Sequence, residues 1–582
     1  MNTNSATLQA TPSAPLSFVS GPRTPELWYK TLAETVDQQA AKYGNHTAIS
    51  FPWQSHKLSY RELASRSEQL AKSMLAYGLG HSDCIAIMAG NRYQYIEAFL
   101  GAARIGCPYI VVNNTYTPQE LISVLSMTSC RLLFVATNIG LKGLSKHLEG
   151  VQGAADTLRQ LKHIVLLSER IPDTHPNSKL CTYSTFVSKG EAMDAATLQQ
   201  AERAVQCSDI VNLQFTSGTT GAPKAAMLCH TNLINNARFI AAAMKLIPSD
   251  VVCCPPPLFH CFGLVLGFLT AFVHGSTIIF PCDQFDANLV LETLNTEKCT
   301  AILGVPTMFI AEIEANKKKK YKISSVRTGL AAGSSVPPAL MRQLKQEFGV
   351  QGMLIAYGMT ETSPVTFITS LDDPEEKRFK TVGRICPHTG AKVIDKKGNV
   401  VPRGVPGELC VSGYALQRGY YKNPAKTQEV MKKDDQGVLW MYTGDECVID
   451  ADGYCTVTGR IKDMIIRGGE NIFPAEIEER LLQHPSITEA CVVAVKNEKY
   501  GEVVGAFLRL KQGRPKPSLE QIRQWVRQSL GSHKAPAHVF WIGDEGVGND
   551  YPKTGSGKHQ KHILRAVADR LVTAQGNVQA KL

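Results

Sequence analysis

Two short apolar runs in the first third of the chain leave few choices of fold. Residues 84–89 read Cys-Ile-Ala-Ile-Met-Ala, and residues 131–136 read Arg-Leu-Leu-Phe-Val-Ala. Neither alternates polar with apolar, so a strand built from either must be covered on both faces. Helical signals surround them. Residues 61–77 carry apolar side chains at helical spacing and stop at Gly78. Thr117-Pro118-Gln119-Glu120 is a capping box with proline at the first helical position, which predicts a helix to about Met127. This alternation predicts an α/β layered fold with buried, largely parallel strands. Residues 137–208 are polar and irregular and read as a surface excursion. From Ile210 onward, apolar strands end in Gly-, Thr- and Ser-rich turns, the positions where open α/β sheets bind ligands.

A chain of 582 residues is too long for one ordinary core, so at least two domains are expected. The composition breaks near Gly459-Arg460-Ile461-Lys462-Asp463, dividing a large N-terminal domain, 1–459, from a smaller unit, 460–582. The smaller unit reads as a helix over about 474–483, strands over 490–495 and 503–510, and a helix opened by Ser518 with Gln521 as its capping box. The fold class is therefore α/β: a large domain of layered α/β subdomains followed by a small α+β C-terminal domain.

Residues 261–280 are almost all apolar, but they contain His274 and three glycines and are bracketed by prolines. They read as a buried helix over about 262–273, a turn at Gly275 and a strand over 277–280, with no membrane span. The sixteen cysteines are scattered with no CxxC pair, as buried free thiols would be. Residues 1–21 read as a loose tail without a secretory signal, and Lys317 to Lys320 as a solvated helix end or loop. A net charge of +11 is mild at this length. It suits anionic small molecules and gives no argument for a nucleic-acid partner.

The most telling segment is Leu213-Gln214-Phe215-Thr216-Ser217-Gly218-Thr219-Thr220-Gly221-Ala222-Pro223-Lys224. An apolar strand runs into a loop of glycines and hydroxyls closed by lysine. Glycines let backbone N–H groups turn toward an anion, and hydroxyls and lysine add donors and charge, a combination suited to polyphosphate. It is not a Walker loop: Pro223 stands where that pattern needs glycine, and Ala225 follows the lysine. Thr216 to Lys224 resembles throughout the signature [ST]SG[ST]TGxPK of the acyl-adenylate-forming superfamily. That group includes acyl-CoA synthetases, 4-coumarate-CoA ligase, firefly luciferase and peptide-synthetase adenylation domains. Further matches follow in the family's order, covering about 214–558. The resemblance implies ATP, Mg²⁺ and coenzyme A as the molecules used, and a mobile C-terminal domain.

Tyr357-Gly358-Met359-Thr360-Glu361-Thr362 resembles the family's second core motif, and the resemblance adds Ala356, Gly358 and Met359 to the nucleotide site. Tyr357 can stack on adenine, Thr360 can reach the α-phosphate, and Glu361 can hold Mg²⁺ against the triphosphate, with Thr216 a second candidate for the metal. Many relatives carry Gln-Gly before this tyrosine, whereas this chain has Ile355-Ala356, a change expected to reshape the acyl pocket. The resemblance implies that Asp445 holds the ribose hydroxyls, that Arg460 contacts ribose or phosphate, and that Lys462 is the hinge. It also implies that Gly468, Gly469 and Glu470 border the pantetheine path of coenzyme A. Pro552-Lys553-Thr554-Gly555-Ser556-Gly557-Lys558 matches the terminal catalytic loop PKTxSGK, so Lys558 is expected to stabilise charge on the phosphoryl oxygens during adenylation.

For the acid itself, Pro257 to Gly263 matches the gate segment, with His260 and Phe262 as candidate site residues. Amino-acid-activating relatives carry an aspartate after Phe259, where this chain has His260. An imidazole is a poor partner for an ammonium, which argues against amino-acid substrates. Val305, Ala332, Gly333 and Ile355 stand in the expected wall segments, which hold no charge. The expectation is an apolar short- to medium-chain carboxylic acid. Three alternatives share the ATP motifs: a luciferase-like oxygenase, a carrier-loading enzyme, for which no room remains after Lys558, and a non-catalytic binding protein. The ending Ala580-Lys581-Leu582 varies the Ser-Lys-Leu peroxisomal address, so a peroxisomal import receptor is the expected partner.

Overall fold

The computed structural model describes residues 15–171, 179–216, 224–334, 336–555 and 557–579, with side chains to residue 573. The early alternation forms a seven-stranded sheet. Its spatial order is Leu180–Thr182, His163–Leu166, Leu132–Val135, Ile85–Met88, Tyr109–Val111, Ile210–Thr216, Lys224–Cys229. Neighbours are parallel except the last pair, which is antiparallel. Ile85 to Met88 are wholly buried, as a strand apolar on both faces requires. The helix Pro118–Met127 begins where its capping box predicts: Thr117 Oγ1 accepts from the Glu120 N–H at 3.3 Å, and the Glu120 carboxylate accepts from the Thr117 N–H at 2.7 Å. A cap of this kind stabilises by about 1 kcal/mol.

Residues 137–208 are not a surface excursion. His163–Leu166 and Leu180–Thr182 extend this sheet at its edge, and Phe186, on the helix Tyr183–Lys189, is fully buried against Phe134 and Tyr77. Edge strands of three and four residues, set among polar turns, leave too short an apolar signature to register as strands.

A second, nine-stranded sheet runs Arg384–Ile385, Val365–Ile368, Gly352–Gly358, Thr328–Ala332, Ala301–Gly304, Val251–Cys253, Thr277–Ile279, Thr47–Phe51, His56–Ser59. It is parallel through its centre and antiparallel at both edges. One hydrophobic core joins both sheets through the helices His230–Ala243 and Tyr93–Arg104.

The apolar stretch at 261–280 is buried as expected, but its first two turns differ. Phe262–Leu269 is a π-helix that passes into the α-helix Thr270–Val273. Among the described residues, no helix is long and apolar enough to cross a membrane. All sixteen cysteines are free, and only Cys181 and Cys207 reach beyond full burial. Lys317 to Lys319 form the last turn of the helix Pro306–Lys319 and Lys320 closes it.

An antiparallel sheet of six strands follows, centred on Gly407–Gly413 and Leu439–Ile449, with Cys455–Arg460 paired to the latter. It also corrects the reading of the N-terminal tail. Phe18–Ser20 pairs with Thr389–Ile394, and the Arg403 guanidinium donates to the carbonyls of Leu16 and Phe18. The last sheet is built on Ile487–Asn497 and Gly501–Leu510, with Ile465–Arg467, Glu470–Ile472 and His538–Trp541 beside them. Helices Pro474–Leu482 and Leu519–Arg527 cover it around a core of its own.

Candidate active site

The strands Ile210–Thr216 and Lys224–Cys229 run antiparallel with Thr216 opposite Lys224, as the two arms of a hairpin. This differs from the strand–loop–helix of a Walker site. Ser217, Gly218, Thr219, Thr220, Gly221, Ala222 and Pro223 lie outside the described residues. At the hairpin's mouth the Lys224 ammonium lies 5.5 Å from the ring centre of Tyr420, a cation–π distance. The Tyr420 hydroxyl donates to Glu361 Oε1 at 2.7 Å. Glu361 is buried, and among the described residues its other oxygen carries no hydrogen bond. Sequence reading missed Tyr420. It sits on a segment without regular structure that hydrogen-bonds onto the exit strand, Tyr421 N–H to Ala225 O at 2.8 Å and Met227 N–H to Gly419 O at 3.0 Å. The pattern Arg-Gly-Tyr-Tyr carries no local signal for such a role.

Strand Gly352–Gly358 ends in the second motif, and a short 3₁₀ turn, Thr360–Thr362, follows. The Tyr357 hydroxyl donates to Asp445 Oδ2 at 2.7 Å, and Arg460 Nε reaches Asp445 Oδ1 at 3.2 Å. Asp445 and Arg460 are direct cross-strand partners, which is how two charges fifteen residues apart meet. Burial, and then the Asp445 carboxylate, push the Tyr357 phenol well up. Beside this trio, a cleft of about 290 Å³ is lined by Glu408, Thr443, Gly444, Arg460, Ile461 and Lys462.

Lys558 comes from a tight hairpin. The Thr554 N–H donates to Lys558 O at 2.7 Å, the Gly557 N–H to Thr554 O at 2.8 Å, and the Lys558 N–H to Thr554 Oγ1 at 3.1 Å. The hairpin tip is seated in the large domain. A Cβ on Gly555 would lie 2.5 Å from Asn113 Oδ1 and 2.9 Å from Phe259 Cζ, so only glycine fits there without displacement. A Cβ on Gly557 would approach Thr307 and Val305, and Lys558 Cε passes 3.9 Å from where Gly333 would carry a side chain. Burial and the Arg460 guanidinium lower the pKa of the Lys558 ammonium, while Asp445 and Glu361 act on it in the opposite sense.

His260 faces the same ammonium. Burial, with Lys558 adding to it, pushes the imidazole down to about 3, so it is neutral. Its Nδ1 accepts from the Phe262 N–H at 3.1 Å, which leaves the ring proton on Nε2. Cys261 Sγ lies 3.8 Å from Thr360 Oγ1. Phe262, Val305, Ala332 and Ala356 are buried in one core with Phe259 and Cys261. Ile355 is a correction. Side chains alternate along a strand, and its neighbour Ala356 packs in the core with Phe259, Phe262, Val305 and Ala332. Ile355 packs instead with Ala331 and Phe309 in the core on the opposite side.

The structure does not bring every sequence-predicted residue together. Gly468 and Gly469, at φ +57° and +90°, form the turn between Ile465–Arg467 and Glu470–Ile472. The Gly468 N–H donates to Tyr500 O at 2.8 Å, nothing stands within 4 Å of a Cβ on Gly469, and Glu470 is exposed. Lys462 lies in the one-turn link Ile461–Asp463 between the two sheets, where a hinge would be expected.

Comparison with known proteins agrees with this geometry. The profile described as AMP-binding enzyme matches residues 36–421, and the AMP-binding enzyme C-terminal domain matches residues 476–558. The acyl-CoA ligase sidI of Aspergillus fumigatus is 47% identical, covering 96% of this chain and 94% of its own. The mitochondrial medium-chain acyl-CoA ligase ACSF2 of Danio rerio is 36% identical, covering 95% and 91%. Among solved structures, the anthranilate CoA ligase AuaEII in complex with anthranoyl-AMP superposes with a TM-score of 0.81 at 23% identity, covering 94% of this chain and 98% of that one.

Proposed function

From membership of the AMP-binding enzyme family, to which this chain belongs, we propose an ATP-dependent, AMP-forming acyl-CoA ligase that activates an apolar short- to medium-chain carboxylic acid. The observation that carries the reading is Lys558, held by its hairpin among His260, Cys261, Glu361, Asp445 and Arg460.

In the first half-reaction an oxygen of the substrate carboxylate attacks the α-phosphorus of ATP, and the bond to pyrophosphate breaks. Negative charge grows on the phosphoryl oxygens, where a fixed ammonium in a water-poor site stabilises the transition state more than the ground state. Lys558 is that ammonium, and the Thr216–Lys224 segment covers the phosphates. Tyr357 stacks on adenine, with its hydroxyl fixed by Asp445, and Asp445 and Arg460 hold the ribose. Glu361, with Thr216 beside the phosphate segment, is the group that would hold Mg²⁺, since the buried residue Glu361 keeps one carboxylate oxygen without a hydrogen bond among the described residues. The ion would supply neutralising charge to the triphosphate. In the second half-reaction the small domain turns about Lys462, withdrawing Lys558 and presenting Gly468, Gly469 and Glu470. The coenzyme A thiol then attacks the acyl carbon, and AMP leaves.

His260 and the uncharged walls Val305, Ala332 and Gly333 support an apolar acid. The name of the fish relative, a medium-chain ligase, points the same way. The test is acid-dependent pyrophosphate exchange across a panel of carboxylic acids, followed by thioester formation with coenzyme A. Exchange with no acid overturns the reading, and exchange without thioester transfers it to another acceptor. Import into peroxisomes through Ala580-Lys581-Leu582, which lies outside the described residues, belongs to the same proposal. A diffuse signal from a fluorescent protein carrying the last dozen residues would remove it.

A further inference from the structure

The Lys558 hairpin has two feet, Lys553 and His559, which face each other across its base. Both reach one carboxylate. Glu489 Oε1 accepts from Lys553 Nζ at 2.5 Å and from His559 Nε2 at 3.0 Å, while Arg509 Nε donates to Oε2 at 3.1 Å. Glu489 lies on Ile487–Asn497, an edge strand of the small domain's sheet, directly opposite Arg509 of Gly501–Leu510 and just after a shift in register at Ile487/Glu489. Burial alone would raise this carboxyl, yet His559 and Lys553 hold it at about 2.

The rest of the hairpin's anchorage lies further from the tip. Upstream, the Tyr551 hydroxyl donates to Phe507 O at 2.9 Å and Glu489 O at 3.1 Å, and its ring stacks on His559 at 4.5 Å. Downstream, Lys561 donates to Glu478 at 2.6 Å and to Val492 O at 3.0 Å. These contacts fix where the chain enters and leaves. Gln560 Nε2 also donates to Lys553 O at 2.9 Å, but Glu489 is the side chain that bonds both feet at once, and so bears on the direction in which Lys558 projects.

We propose that Glu489 is a positioning residue of the first half-reaction: by clasping Lys553 and His559 it aims the Lys558 hairpin into the large domain. The inference rests on the ligase reading above. It does not make Glu489 catalytic, since the carboxylate touches only the feet of the hairpin. It does predict an unequal effect on the two half-reactions, because the clasped hairpin serves adenylation and stands away from the thioester step.

The experiment is Glu489→Gln, which keeps shape and removes charge, measured with the acid that supports the fastest exchange in the unaltered enzyme. Turnover in pyrophosphate exchange is expected to fall by about 10- to 100-fold, the cost of a misaimed catalytic group. The KM for ATP and thioester formation from the supplied acyl adenylate should stay within about threefold. Equal loss in both half-reactions, or unchanged exchange, overturns the proposal. If Glu489→Gln does not fold, Lys553→Met removes one foot at a partly exposed position and should give the same unequal loss. An equal loss there overturns the clasp. An unaltered enzyme that exchanges with no acid would instead overturn the ligase reading itself.

Discussion

Tyr420 donates its hydroxyl to Glu361 at 2.7 Å while its ring lies 5.5 Å from the Lys224 ammonium. One side chain thus links the mouth of the phosphate hairpin to the carboxylate that fits the metal. A hydrogen bond to a charged group contributes about 1.5–3 kcal/mol. Tyr420→Phe keeps the ring under Lys224 and removes only that bond. Its kcat/KM for ATP in pyrophosphate exchange should fall about tenfold or more, with the KM for the acid unchanged. Unaltered ATP kinetics would mean that Glu361 is positioned without Tyr420.

At Gly555 the small domain packs closely against the large one. A Cβ there would meet Asn113 Oδ1, which is already held by the Thr115 N–H at 3.0 Å and hydroxyl at 2.9 Å, and the buried ring of Phe259. Neither neighbour can retreat freely, and overpacking of this kind costs about 1–3 kcal/mol. Gly555→Val should therefore lower pyrophosphate exchange about tenfold or more, yet leave thioester formation from a supplied acyl adenylate intact. Matching losses in both assays would place the damage in folding.

Ile355 and Ala356 are neighbours with opposite duties. Ile355 packs in one core, with Phe309 and Ala331, and Ala356 in the other, with Phe262, Val305 and Ala332, the candidate acyl wall. Ile355→Val should cost about 0.5–1.5 kcal/mol of stability, read as a lower Tm, and leave the ranking of acids unchanged. Ala356→Val should reorder that ranking toward smaller acids. A reordered ranking from Ile355→Val would return that residue to the acyl wall.

Much of this was legible in the sequence because it is local. The capping boxes at Thr117 and Ser518 name their helices, and a fully apolar run such as Ile85–Met88 can only be a covered strand. Non-local features were not. The π-helix at Phe262–Leu269 brings Gly263 to a position where a Cβ would lie 2.3 Å from Pro257 O, and Gly267 to one 2.5 Å from Cys254 Sγ. Tyr420 gains its role only when its segment lies along Ala225 to Met227. The face of Ile355 depends on strand phase, which a two-residue motif does not fix. The catalytic motif named Lys558 but not Glu489, because the clasp joins residues sixty-four and seventy apart through a sheet register.

Lys558 also sets an expectation for pH. Burial and the nearby Arg460 lower its ammonium below the ordinary lysine value of about 10.4. In the proposed mechanism the protonated form stabilises the adenylation transition state, so activity should be present below the lowered pKa and lost as pH rises through it. Pyrophosphate exchange should therefore show an alkaline limb below about 10.4. His260 contributes no limb between pH 5 and 8 because it is neutral throughout, with its pKa at about 3. Lys558→Ala should lower exchange by about 10²–10³-fold and abolish the alkaline limb in what remains. Thioester formation from a supplied acyl adenylate should survive that substitution, since the proposed domain rotation would withdraw Lys558 before the thiol attacks. An alkaline limb that persists in Lys558→Ala would assign the titration to another group, and equal loss of both half-reactions would remove the division of labour between the two faces of the small domain.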